Sequence, residues 1–240
     1  MKALESTDLL KGSIWKSILI FSLPLLVGNL FQQFYNVVDA AIVGQTLGSK
    51  ALAAVGASSS VQFLILGFCM GICQGFAIMV SQSYGAKRLD EMQTYIYAGA
   101  IWTAITALVI SILVVVFCTD ILHILQVNDE IFNDAYAYLV VIFAGIPFTL
   151  LYNYLSAILR AIGDSKTPFF FLAFSAVLNI GLDFFCILVL KWGCAGAAIA
   201  TITAQAISGI CCLIVIMRKM KLMWLGKDDR HMRKEAVQEL

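Results

Sequence analysis

The sequence predicts an all-α, polytopic membrane protein of six transmembrane helices, and two observations carry that prediction. The first is composition: of 240 residues, 61% are hydrophobic and 13% charged. A soluble domain runs near half apolar and about a quarter charged, so this chain has too little polar surface to cover a water-soluble globule. The second is segregation. Long apolar stretches alternate with short charged ones, and each stretch is long enough to cross a hydrocarbon core of about 30 Å. The net charge of +1 comes with no basic patch interleaved with aromatics, which argues against a nucleic-acid partner. No cleavable signal peptide is expected, because Met1 to Lys16 is mixed in charge and the following apolar run lacks a small-residue cleavage site.

Apolar runs bounded by charge or turn residues fall at about 17–42, 54–82, 95–117, 136–158, 168–190 and 194–217. Each is apolar all round, as lipid on one side and protein on the other require. Residues 1–16 then form an N-terminal segment, 17–217 the transmembrane lobe, and 218–240 a charged tail or the start of a linker. Orientation follows from Lys and Arg. Lys2, Lys11, Lys16, Lys87, Arg88, Arg160, Lys166, Arg218, Lys219, Lys221, Lys227, Arg230, Arg233 and Lys234 all fall on one side, 14 of the 16 basic residues. Only Lys50 and Lys191 fall on the other. A split that alternates in step with the spans puts both termini in the cytoplasm of a multi-pass plasma-membrane protein.

Glycine, proline and cysteine describe the packing. Gly67, Gly71 and Gly75, four residues apart, form a small-residue stripe expected to let a neighbouring helix approach closely. Pro24 and Pro147 fall inside the first and fourth spans, where each removes a backbone hydrogen bond and invites a kink, fixed or hinged. Asp164-Ser165-Lys166-Thr167-Pro168 is a helix start: capping side chains, then proline near the first helical position. Most of the seven cysteines lie inside apolar stretches as packing residues, though Cys118 and Cys194, near outer ends, leave a bridge open. His123 and His231 are far apart and no Cys-x-x-Cys pair exists, so neither a cofactor nor a metal is expected, apart from Na⁺ at the site described next.

Of the fifteen acidic residues, only Asp39 and Asp183 lie within the spans, and no Lys or Arg does. An aspartate at the membrane centre costs about 2.5–3.5 kcal/mol on an insertion scale, so two of them require a reason. Either each is a hydrogen-bonded packing residue near a helix end, or the pair is an ion or proton site. The helical rise of about 1.5 Å per residue puts Asp39 roughly 7 Å, and Asp183 roughly 12 Å, below the nearest outer turn. Thr201 comes to a similar level from the other side of that turn. Tyr35 shares a face with Asp39 and Asn179 with Asp183, both at i, i+4. Two carboxylates, an amide, a hydroxyl and a phenol thus converge between the first, fifth and sixth spans, an oxygen-rich set suited to a proton or a hard cation such as Na⁺. Asn29, Gln32, Gln33 and Asn36 add a wettable stripe on roughly the same face as Asp39, suited to a protein interface or a cavity.

With these residues on the page, the chain resembles the multidrug and toxic compound extrusion (MATE) transporters. The matching stretches are Leu23-Pro24, Val38-Asp39 running into Val43-Gly44-Gln45-Thr46-Leu47-Gly48, and Ala51-Leu52-Ala53-Ala54-Val55-Gly56. They continue with Ser81-Gln82-Ser83-Tyr84-Gly85-Ala86-Lys87 and Arg160-Ala161-Ile162-Gly163-Asp164-Ser165-Lys166-Thr167-Pro168. The resemblance covers essentially the whole chain and implies one lobe of a twelve-helix bundle whose two six-helix lobes rock between outward- and inward-open states. It implies export of small amphipathic, often cationic compounds by alternating access, driven by H⁺ or Na⁺ entry, and a second six-helix lobe as partner. It also implies a cation site whose positions match Asp39, Asn179, Asp183 and Thr201, with Tyr35 at the matching aromatic position.

Three other functions compete with a cation-coupled antiporter. A flippase for lipid-linked polysaccharide precursors would more naturally show a basic cavity. An intramembrane enzyme would need a nucleophile–base pair or metal motif, and no such spacing is found, so no enzyme is expected. A truncated, non-transporting membrane protein stays open, because one lobe lacks half the cavity wall.

Overall fold

A computed structural model of the chain describes residues 14–219, and among them every element is helical. The remainder of the expected N-terminal segment and tail lies outside the described residues. The helices are α1 (Ile14–Leu47), α2 (Ser49–Gly85), α3 (Leu89–Val116), the short α4 (Cys118–Ile124), α5 (Asp129–Ala144), α6 (Ile146–Ala161), α7 (Lys166–Phe184) and α8 (Gly193–Lys219). A π-helical turn, Phe185–Val189, continues α7.

Four of these, α2, α3, α7 with its π turn, and α8, are each long and apolar enough to cross a membrane. The pair α5–α6, bent by 48°, is long and apolar enough to cross when taken together. α1, 34 residues long, corresponds to the first span read from the sequence. The helices extend past the apolar runs, since backbone hydrogen bonding carries them into the polar interface: α2 starts at Ser49 rather than near 54, and α3 at Leu89 rather than near 95.

The fourth span departs most from expectation. It is two helices meeting at Gly145, and Pro147 sits in the first turn of α6 rather than in a helix interior. Proline has no N–H, so the carbonyl four residues back, Phe143 O, loses its intrahelical donor. In hydrocarbon such a carbonyl must find another partner. It has two: a backbone N–H at the C-cap of α5, and the Ser111 hydroxyl of α3, which donates to Phe143 O at 2.7 Å. α1 is helical through position 24, and the side chain of Pro24 lies outside the described residues.

α6 is the most enclosed element, with Tyr154 to Leu159 buried without a gap. Its hydroxyls and amides reach its neighbours: Tyr154 Oη donates to Ile96 O of α3 at 2.5 Å, Tyr152 Oη to Pro168 O of α7 at 3.1 Å, and Thr149 Oγ1 to Gln205 Oε1 of α8 at 2.5 Å. α8 lies close against α5, α6 and α7 because it presents Cys194, Ala197, Ala198, Ala200 and Ala204 to them. Small residues are what allow membrane helices to approach. Gly145 belongs to the same contact, since a methyl group there would collide with the Ile202 side chain.

Two turns reverse the chain at the end bearing Lys87, Arg88, Arg160 and Lys166. At Gly163, φ is +89°, and Asp164 N donates to Leu159 O at 2.9 Å, the six-to-one bond of a glycine C-cap. Asp164 then caps α7: its Oδ1 accepts from Lys166 N at 3.1 Å and Thr167 N at 3.0 Å, and its Oδ2 from the Thr167 hydroxyl at 2.6 Å.

Gly67, Gly71 and Gly75 correct the packing expectation. All three are exposed and nothing lies within 4 Å of a side chain built on them, so no described helix nestles there. Cys118 and Cys194 are both free thiols, buried singly.

Candidate functional site

Asp39 on α1 and Asp183 on α7 are carried to one another by the packing of α1 against α7. Their carboxyl groups come within reach of a shared proton. Asp183 is fully buried and Asn179, one turn earlier on the same face, is 1% exposed. Asn179 Nδ2 donates to Thr201 Oγ1 of α8 at 3.1 Å, which ties α7 to α8 at this level. Tyr35, one turn before Asp39, sets its hydroxyl against Thr201 and lies beside both carboxylates. The five residues singled out in the sequence are thus brought into one cluster by three helices.

The cluster is rich in acceptors and poor in donors. Asp39 Oδ1, Asn179 Oδ1 and both carboxylate oxygens of Asp183 are buried with no hydrogen-bond partner among the described residues. An unpaired buried acceptor costs about 1–3 kcal/mol, more if charged, so four in one place form an unfinished shell. A proton between the carboxylates, or a cation accepting oxygens from all three side chains, would complete it. The π-helical turn begins two residues after Asp183, and such turns often occur at functional positions because they shift helical register.

Two members were missed in the sequence. Tyr138 on α5 is 5% exposed and stands beside Asp39, Tyr35 and Asp183, and its hydroxyl meets the Gln62 side chain of α2. Nothing local marks either residue, since one tyrosine in an apolar run reads equally as a lipid-facing ring.

A cavity of about 340 Å³ adjoins the cluster, with Tyr35 lining both. Asn29 and Gln32 of the expected polar stripe face this cavity, together with Gln74, Asn153 and Gln205. Gln33 and Asn36 do not; they are exposed and bonded to each other at 3.1 Å. Arg160, two residues past the fourth apolar run, also lines it, so the cavity does carry a basic side chain. The reason is helix length: α6 runs on to Ala161, beyond the apolar stretch that ends near 158.

An all-helical apolar bundle with a buried carboxylate pair between α1 and α7 defines a membrane protein of the polytopic helical class. Comparison with known proteins makes this specific. The MatE family model matches residues 24–185. The probable multidrug resistance protein YpnP of Bacillus subtilis (strain 168) is 34% identical over 217 residues, covering 90% of this chain and 48% of that protein. The multidrug export protein MepA of Staphylococcus saprophyticus subsp. saprophyticus is 26% identical over 232 residues, 96% of this chain and 51% of that one. An outward-facing structure of a multidrug resistance MATE family transporter of the MOP superfamily shares the fold, with a TM-score of 0.87 at 24% identity over 99% of this chain and 54% of that chain. The chain belongs to the MatE family. It spans about half the length of the curated relatives it matches.

Proposed function

We propose that this chain is one lobe of a cation-coupled antiporter that exports small amphipathic compounds across the cell membrane. Asp39, Asn179, Asp183, Thr201 and Tyr35 bind the coupling ion, H⁺ or Na⁺. One observation carries the reading: four buried acceptor oxygens on Asp39, Asn179 and Asp183 share a cluster and have no donor. A purely structural cluster would be expected to satisfy them, because the cost of orphaned acceptors rises as the surroundings become drier.

Exchange follows from the same chemistry. A cation entering from outside neutralises the carboxylate pair, and its departure restores two negative charges in a confined space, which favours a rearrangement of α1 against α7. Ion and substrate alternate because the rearrangement couples the cluster to the adjoining cavity through Tyr35, which borders both. Movement across the whole bilayer requires a second six-helix lobe against which this one rocks. The resemblance of relatives named as multidrug resistance and export proteins supports this reading.

The test uses the purified chain in lipid nanodiscs. Saturable binding of radioactive sodium, or proton uptake after a pH jump if H⁺ is the ion, is expected in the wild type. Asp39→Asn and Asp183→Asn should each abolish it while leaving insertion and monodispersity intact. Wild-type stoichiometry in both variants would return the pair to a packing role.

A further inference from the structure

Arg160 is half-buried at the wall of the 340 Å³ cavity, and no carboxylate among the described residues pairs with it. Asp164, the acid nearest in sequence, is committed: its two oxygens accept from Lys166 N, Thr167 N and the Thr167 hydroxyl in the cap of α7. The interior acids are remote. Arg160 lies at the Ser165 end of α7, and Asp183 is 18 residues along that helix from Ser165, roughly 27 Å at the helical rise. A half-buried guanidinium without a counter-ion is costly and needs a partner or a task.

The rest of the wall says what kind of partner fits. Met70, Phe169 and Leu172 offer an apolar surface, while Asn29, Gln74 and Asn153 offer uncharged amides. The guanidinium is therefore the cavity's one full charge among the described lining residues. Its planar fork of donors matches a carboxylate or a phosphate with two parallel hydrogen bonds. The volume falls at the small-molecule end of ligand pockets, which run about 300–1,000 Å³.

We propose that Arg160 binds the anionic group, carboxylate or phosphate, of an amphipathic compound whose apolar part lies against Met70, Phe169 and Leu172. This names a substrate class for the exporter reading and rests on that reading for its purpose, though binding itself is independent of transport. It also removes the objection to phosphate-bearing amphiphiles that the lack of a basic cavity residue had raised.

Calorimetric titration of the chain in neutral-lipid nanodiscs tests it, with n-octyl phosphate, inorganic phosphate and octyltrimethylammonium as probes. Octyl phosphate is expected to saturate one site per chain, and Arg160→Gln to weaken it at least tenfold without weakening octyltrimethylammonium. Asn153→Asp, two turns away on the same helix face, should act in the same direction by giving the guanidinium an internal partner. That variant carries the test if Arg160→Gln does not fold. Equal octyl phosphate affinity in the wild type and in both monodisperse variants would overturn the proposal. Inorganic phosphate binding as tightly as octyl phosphate would overturn the amphiphile class and leave a free-anion site. Sodium or proton binding is read in the same preparations, so failure of the anion site and failure of the cation site appear separately.

Discussion

Asp183 and Tyr138 illustrate how single residues divide the work at the cluster. Asp183 supplies two of the orphaned oxygens and is completely enclosed, so in the proposed function the ion completes its shell. Tyr138 cannot supply charge, but its hydroxyl, held by Gln62, fixes a dipole beside both carboxylates and links α5 and α2 to the cluster. A hydrogen bond of this kind is worth about 0.5–1.5 kcal/mol net, which corresponds to about a 2- to 12-fold change in affinity. Tyr138→Phe is therefore expected to weaken cation binding by that factor without changing stoichiometry. The reading fails if titration of the variant overlays the wild type. Thermal unfolding gives a second view: ion at a hundredfold excess over its Kd stabilises the native state by about 2.7 kcal/mol. That ion-dependent gain should vanish in Asp183→Asn.

Among the elements, the α5–α6 pair is the one whose geometry has a stated chemical origin. Pro147 removes the usual i+4 donor of Phe143 O, Gly145 lets α8 come close, and Ser111 adds a hydrogen bond from α3 beside the backbone one at the cap. The bend thus positions Tyr138 on one arm and the cavity residues Tyr152, Asn153 and Arg160 on the other. Ser111→Ala removes one of two hydrogen bonds to the Phe143 carbonyl, the other coming from a backbone N–H at the C-cap of α5. It should destabilise the lobe by about 0.5–1.5 kcal/mol, the net worth of one buried hydrogen bond. Ser111→Thr, which keeps the hydroxyl, should recover most of the loss in a denaturant titration. Equal loss in both variants would assign the effect to packing instead.

At the scale of the whole molecule, charge and exposure bear on the proposed orientation and the outer faces. Phe63, Leu64, Phe68, Leu108 and Ile112 on α2 and α3 are exposed large apolar residues, suited to lipid contact or to a second lobe. The open glycine stripe on α2 is suited to a close helix contact that no described helix of this chain makes. Lys50 and Glu130, 2.8 Å apart and both exposed, join the start of α2 to the start of α5 at one end of the bundle. Such a surface pair is worth about 0–1 kcal/mol and decides little. The Lys/Arg distribution decides more. A cysteine introduced near Ser49 or Gly193 should react with an impermeant thiol reagent added to intact cells, and one near Lys87 or Lys166 should not. Labelling of the second pair would reverse the orientation.

The membrane class, the helical character of the apolar runs and the proximity of Asp39 to Asp183 were legible in the sequence because each depends on local quantities. Hydrocarbon demands a run of apolar residues of fixed length, and a charge inside such a run stands out against it. The i, i+4 spacing of Tyr35 with Asp39 and of Asn179 with Asp183 then follows from helical periodicity alone. Three things waited for tertiary structure. Tyr138 and Gln62 joined the cluster through the packing of α5 and α2, which no spacing within either helix specifies. The bend at Gly145 is tied to α3 by Ser111, 32 residues before Phe143 in the chain. Arg160 became a cavity residue because Asp164 spends its oxygens on the cap of α7 and α6 outruns its apolar stretch. In each case the deciding energy is a contact between residues distant in sequence, and such contacts exist only once the helices have packed.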